Sequence, residues 1–160
     1  MIALVQRVAE ARVTVGTRTV GAIGRGALLF LCAEPDDSDE IADRMIAKVL
    51  ALRIFADGDG KMNLDLAAVG GGLLLVSQFT LAADTSRGHR PGFSGAADAE
   101  LGRRLYERAL TTARRLHGDV LAGEFGADMR VSLINDGPVT IPITLRAAPP
   151  ALNSERAGPR

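Results

Sequence analysis

Two short segments hold the residues best suited to bind and transform a ligand. Ser77-Gln78-Phe79-Thr80 closes an aliphatic run, Leu73-Leu74-Leu75-Val76. Hydroxyls and a carboxamide are costly to bury without partners, and at the end of a strand they can face a ligand. The plainer use of the same groups is bonding to neighbouring backbone. Asn135-Asp136-Gly137-Pro138-Val139-Thr140 reads first as a turn between two strands. Glycine before proline also admits backbone geometries that other residues resist, and an X-Pro bond is cis at modest cost. A cis bond between Gly137 and Pro138 would aim two successive carbonyls in an unusual direction, as a rigid acceptor pair.

The usual catalytic groups are sparse. The histidines are His89 and His117, and the single cysteine is Cys32. His117 falls at the end of a long helical pattern, where a cation suits the dipole. Ser77, His89 and Asp84 could be imagined as a triad, but no Gly-x-Ser-x-Gly elbow is present. Two scattered histidines and one cysteine make no metal-ligand cluster. Asp57-Gly58-Asp59-Gly60 resembles the start of a calcium loop without its closing glutamate. Gly70-Gly71-Gly72 precedes a strand and lacks a following Gly-Lys-Ser/Thr, so it reads as a turn, not a phosphate loop. Neither a metal nor a cofactor is expected.

Composition narrows the classes further. The chain has 160 residues, which suits one domain. Apolar residues make up 47% and aromatic residues 4%, so aliphatic side chains must fill the core. So few rings argue against binding RNA by stacking many bases. A formal net charge of zero argues against a protein that coats nucleic acid through a basic surface, but leaves room for an enzyme that grips one end of an RNA. One cysteine allows no internal disulfide and fits a reducing cytoplasm. Cys32 ends the run Ala27-Leu28-Leu29-Phe30-Leu31 and reads as a small buried hydrophobe. The start Met1-Ile2-Ala3-Leu4-Val5-Gln6-Arg7 carries no signal-peptide pattern. No apolar stretch reaches the ~18 residues of a membrane span. The expected protein is soluble and cytoplasmic, with neither membrane nor DNA as a partner.

The elements that must position the two segments follow from periodicity. Alternation at Arg12-Val13-Thr14-Val15, a turn at Gly16-Thr17-Arg18 and a return over Thr19 to Ile23 predict paired strands. Ala27 to Cys32 reads as a strand covered on both faces. Pro35-Asp36-Asp37-Ser38 signals a helix start, and Ile41, Met45, Val49 and Leu52 form its apolar stripe. Arg53-Ile54-Phe55 and Leu73 to Gln78 are further strands. A polar loop over 82–95 leads to a helix over about 97–117, with Leu101, Leu105, Thr112 and Leu116 inward. Arg104, Arg108 and Arg115 share another side, a solvated face or a surface for RNA phosphates. Val120 to Phe125, Met129 to Ile134 and Val139 to Leu145 close the chain as three strands, Pro142 suiting the last to an edge or a bulge. Two helices cannot cover both faces of about eight strands. The predicted fold is therefore α/β: a β/β/α layered, barrel-like double sheet, antiparallel or mixed, with two helices on one side. Residues 1–146 form the domain and 147–160 a disordered tail.

In both segments the chain closely resembles the D-aminoacyl-tRNA deacylases. The family's two signatures, Ser-Gln-Phe-Thr and Asn-x-Gly-Pro-Val-Thr, stand complete at Ser77 to Thr80 and Asn135 to Thr140. The start Met1 to Val8, Arg53-Ile54-Phe55, Gly60-Lys61-Met62-Asn63, Leu81-Ala82-Ala83-Asp84-Thr85 and Ala127-Asp128-Met129 agree, so the likeness spans about residues 1–145.

The resemblance implies a homodimer with its active sites at the interface, acting on the 3′ acceptor end of aminoacyl-tRNA. Gly137 and cis-Pro138 of one subunit would face Ser77, Gln78, Phe79 and Thr80 of the other. Their carbonyls would hold the substrate's α-amino group, and the rigid segment would exclude an L side chain. D-aminoacyl-tRNA, and glycyl-tRNA mischarged on tRNA(Ala), would be hydrolysed to amino acid and tRNA. Specificity by exclusion suits a site that must accept many D side chains. Thr80 is the obvious nucleophile but has no base beside it in sequence. The alternative favoured for the family lets the terminal adenosine's 2′-hydroxyl assist, while N–H groups near Phe79 and Thr80 stabilise the oxyanion. The resemblance also implies that Arg7 braces the Gly-Pro segment and that Phe125 lies near the terminal adenine. Gly102 stands where relatives often carry alanine near the ligand, which implies a slightly looser pocket.

Overall fold

Ile2 to Val15 form one long strand, β1, that organises the rest of the sheet. The computed structural model describes residues 1–147; the residues expected to form a tail therefore lie, from 148 on, outside those described. β2 (Arg18–Ile23) and β3 (Gly26–Cys32) both run antiparallel to β1, β2 along its C-terminal half and β3 along its N-terminal half. β8 (Met129–Thr144) runs antiparallel along almost the whole of β1. β6 (Gly72–Ser77) joins β3 in parallel, and β7 (Val120–Ala122) joins β6 in parallel. A small hairpin, β4 (Phe55–Ala56) with β5 (Met62–Leu64), stands apart.

The sheet curls until β2 approaches β7: a Cβ on Gly21 would lie 2.8 Å from the Ala122 carbonyl oxygen. Only glycine allows that approach. The result is a nearly closed mixed barrel with two helices, as the alternation of strands and helices predicts.

Two apolar clusters lie on opposite faces of the central strands. Ala27, Leu29, Leu31, Leu73 and Leu75 pack against the helices, whereas Leu28, Leu74 and Val76 pack inside the barrel with Val8, Ala11 and Val13. Burial on both faces is why β3 and β6 read as unbroken apolar runs.

Helix α1 (Asp39–Leu50) begins where the acidic stretch signalled it: the Ser38 side chain accepts from the Ile41 N–H. Helix α2 (Ala99–Leu116) is capped by Asp98, which accepts from the Leu101 N–H. The two helices are joined by charge. Arg108 donates to both carboxylate oxygens of Asp43 at 2.8 and 2.5 Å, Thr112 donates to Asp43 at 2.6 Å, and Arg104 pairs with Asp39. Of the arginine face offered to solvent or RNA, Arg104 and Arg108 are thus held by α1.

Three expectations need correction. Leu116 does not point inward but is 47% exposed, whereas Thr112 and Ala113 in the same last turns are buried. The strand expected over Val120 to Phe125 stops at Ala122. The Asn135-Asp136-Gly137-Pro138 stretch is no turn between strands: β8 continues through it, because both flanks pair with β1. Among the described residues β8 pairs only with β1, so Pro142, opposite Leu4, sits at an edge, which suits its missing N–H.

Candidate active site

β6 ends at Ser77, paired with Leu31 of β3, and the Gln78 N–H still reaches the Leu31 carbonyl at 2.8 Å. The chain then tightens into a single 3₁₀ turn over Phe79–Ala82. This turn leaves Phe79 58% exposed beside the mouth of a cavity of about 350 Å³. Ser77, Gln78 and Phe79 form one wall, and Gly102, Tyr106 and Phe125 form another. Thr80 follows directly, its hydroxyl accepting from the Gln78 carboxamide at 2.5 Å. Among the described residues no imidazole or carboxylate is hydrogen-bonded to the Thr80 hydroxyl.

The α2 wall is built from the inside outward. Tyr106 is buried and donates to the Leu75 carbonyl at 2.9 Å and the Gly123 carbonyl at 3.3 Å; burial pushes its phenol up to about 12. Phe125 packs on Tyr106 with ring centroids 5.7 Å apart. Gly102 lies one helical turn before Tyr106, and a Cβ there would meet the Phe125 ring at 3.5 Å. The Arg103 guanidinium covers the Phe125 ring at 4.8 Å from its centroid.

Cys32 also lines the cavity, its thiol donating to the Phe79 carbonyl at 3.5 Å. Burial pushes that thiol above its ordinary range, against a weaker lowering from the Ala82 backbone. The group is thus a neutral wall component, with no thiolate nucleophile. Sequence reasoning placed Cys32 in the core and overlooked Tyr106. The four-residue spacing of Gly102 and Tyr106, which puts both on one helix face, was the available signal.

The second segment is a bulge. Gln6 pairs with Thr140 and Val8 with Asn135, so Arg7 alone stands opposite Asp136, Gly137, Pro138 and Val139. Arg7 fills the gap: its Nε donates to the Asp136 carbonyl at 2.8 Å and its Nη1 to the Ile54 carbonyl at 2.6 Å. Asn135 closes the base of the bulge, accepting from the Val139 N–H at 2.9 Å and donating to the Thr140 hydroxyl at 2.8 Å. The Gly137-Pro138 peptide bond is cis, and Gly137 has φ of 142°. A Cβ there would come within 2.8 Å of both Arg7 Nη2 and Val139 Cγ2, so glycine is required twice over. Gly137 and Pro138 are exposed and contribute nothing to the wall of the cavity in their own chain.

The remaining candidates stay apart. His117 Nε2 is 2.8 Å from the Gly71 carbonyl, a structural bond at the end of α2. Asp84 accepts from the Ser86 N–H at 2.9 Å, and that turn holds its carboxyl below the usual range. No hydrogen bond links Ser77, His89 and Asp84 among the described residues. No group of three His, Cys, Asp or Glu side chains there could hold a metal. No helix there is long and apolar enough to cross a membrane.

Residues 4–144 match the family described as D-Tyr-tRNA(Tyr) deacylase. The class of protein is therefore a hydrolase acting on aminoacyl-tRNA. A D-aminoacyl-tRNA deacylase of Methylibium petroleiphilum is 61% identical over 145 residues, covering 91% of this chain and 95% of the relative. One of Aromatoleum aromaticum is 60% identical over 152 residues, covering 95% and 99%. A solved structure of the c-Myc DNA unwinding element binding protein superposes with a TM-score of 0.87 at 37% identity, covering 92% of this chain and all of that one. The chain belongs to the D-aminoacyl-tRNA deacylase family, and its activity is the hydrolysis of D-aminoacyl-tRNA.

Proposed function

We propose that the enzyme acts as a homodimer in the cytoplasm, binding the acceptor end of tRNA and sorting its substrates by handedness. The Gly137-Pro138 bulge of one subunit would enter the cavity of the other. The observation that carries this reading is a separation within one chain. Ser77, Gln78 and Phe79 line the cavity, whereas the braced and exposed bulge contributes nothing to it. Within one chain the two family signatures share no cavity, which supports a site completed by a second copy. The long β8, unpaired on one edge and half-buried along its inward face, suits a partner.

In that site the Gly137 and Pro138 carbonyls accept from the substrate's α-ammonium, and the stiff backbone excludes an L side chain. Glycine has no side chain to exclude, so glycyl-tRNA carried on tRNA(Ala) is also a substrate. Water adds to the ester carbonyl, and the terminal adenosine's 2′-hydroxyl assists the proton transfers. The N–H groups of Phe79 and Thr80, at the start of a turn where no internal acceptor is available, stabilise the oxyanion. The bond from carbonyl carbon to the ribose oxygen breaks, that oxygen takes a proton, and free D-amino acid and tRNA leave. The absence of a base on the Thr80 hydroxyl favours this route over a Thr80 acyl-enzyme.

Paired hydrolysis of D- and L-tyrosyl-tRNA tests the reading: D-specific turnover is expected, and equal loss of both enantiomers would refute the chiral filter. Thr80→Ala tests the chemistry. Retained turnover is expected, whereas loss of the chemical step with tRNA binding intact would restore the acyl-enzyme.

A further inference from the structure

Among the arginines of α2, Arg103 differs in what it touches. Arg104 and Arg108 are paired with Asp39 and Asp43 of α1. Arg103 is exposed and has no carboxylate within ion-pair distance among the described residues, although Glu100 and Glu107 lie three and four positions away on the same helix. Its guanidinium rests instead on the Phe125 ring. The ring itself packs on Tyr106 beneath it. A cation stacked on an aromatic face keeps its N–H donors free at the edge of the plane. Arg103 is not part of the cavity wall, but it rests on Phe125 and its Nη2 would stand 3.8 Å from a Cβ on Gly126, and both of those residues line the cavity. A stack runs from buried Tyr106 through half-buried Phe125 to exposed Arg103, so the ring gives the guanidinium a resting place before any ligand arrives.

We propose that Arg103 is a substrate-binding residue that holds the phosphodiester on the 5′ side of the tRNA's terminal adenosine. The inference rests on the reading above, in which the site built on this cavity hydrolyses the ester on the terminal adenosine; the adenosine is then placed at the cavity beside Phe125. A substrate delivered into this cavity brings one formal anion close to its mouth, the phosphate joining the last two nucleotides. Guanidinium donors match phosphate oxygens in geometry and charge. The contact precedes chemistry and does not change as the ester reacts, so it acts on binding and not on the chemical step.

The test compares Arg103→Gln, Arg103→Lys and, as a control on the same helix, Arg104→Gln, on two substrates. One is D-tyrosyl-tRNA; the other is 3′-O-D-tyrosyl-adenosine, which lacks the phosphate. With tRNA, Arg103→Gln should raise KM on the order of tenfold with kcat unchanged. It should also shallow the dependence of log KM on log salt by about 0.7. Arg103→Lys should recover part of the loss, and Arg104→Gln should leave KM in place. With the adenosine ester all three should match the parent enzyme. An unchanged KM on tRNA, an equal loss on both substrates, or an equal loss from Arg104→Gln would overturn the assignment of Arg103 while leaving the cavity reading intact. Failure of the parent enzyme to hydrolyse the adenosine ester at any concentration would remove the cavity reading, and this inference with it.

Discussion

Gly102 sits inside α2, four residues past its cap, with its N–H bonded to the Asp98 carbonyl at 2.8 Å. Glycine costs a helix interior about 0.8–1.0 kcal/mol relative to alanine. Whether Gly102→Ala recovers that energy depends on the space around the new methyl. Its nearest neighbours would be Phe125 Cζ at 3.5 Å and Phe125 Cε2 at 3.9 Å, which are ordinary contacts. Nothing has to move, so the propensity term stands unopposed and Gly102→Ala should stabilise the protein by about 1 kcal/mol. For a chain of this length that corresponds to a melting temperature raised by about 2–4 °C. Thermal melts of both proteins at one matched concentration would measure it, since association shifts apparent stability. Hydrolysis of D-tyrosyl-tRNA should stay within about fivefold of the parent, equivalent to roughly 1 kcal/mol. A melting temperature that is unchanged or lower would refute the reasoning, because the methyl would then be meeting something other than the ring described.

Gly137→Ala should behave oppositely. It forces an L side chain into φ of 142° and against Arg7 and Val139, at a cost of about 1–3 kcal/mol in stability, readable as a lowered urea midpoint with unchanged slope. Tyr106→Phe removes a buried hydroxyl that serves two carbonyls, and should cost about 1–2 kcal/mol by the same assay. Asp43 is held at about 2, against an ordinary value of 3.8, chiefly by hydrogen bonds from Arg108 and then Thr112. A depressed carboxyl contributes stability that is complete above its unfolded value and is lost as pH falls through the folded one. The stability advantage of the parent over Asp43→Asn should therefore hold above about pH 4 and fade as pH drops towards 2. An advantage independent of pH across that window would place it in packing and not in charge.

Much of this architecture is legible in local patterns. Ser38 and the acids after it announce α1, and the unbroken aliphatic runs at Ala27 to Cys32 and Leu73 to Val76 announce strands covered on both faces. These signals depend on residues a few positions apart. What could not be read depends on distant partners. Asn-Asp-Gly-Pro has every mark of a turn, yet the pairing of both its flanks with β1, more than a hundred residues away, keeps the strand going and turns the four residues into a bulge. The role of Arg7 was legible only through the family resemblance, because its partners, the Asp136 and Ile54 carbonyls, lie far from it in sequence. The cavity was half legible: the polar end of β6 stood out, whereas Cys32 read only as core and Tyr106 drew no reading, although both are buried and also line the cavity.

The pairing of β1 with β8 also dictates how the molecule comes into being. A strand over residues 2–15 finds its longest neighbour only in residues 129–144, so the largest set of cross-strand bonds closes the widest loop in the chain. Contacts so far apart in sequence slow folding, because the entropy of joining the ends is lost before any bond repays it. On a translating ribosome, β1 must wait with one edge bare while some hundred residues are made. The peptide segment assigned to chiral discrimination emerges inside that last strand. Protein cut short before it would lack the bulge through which we propose that substrates are sorted.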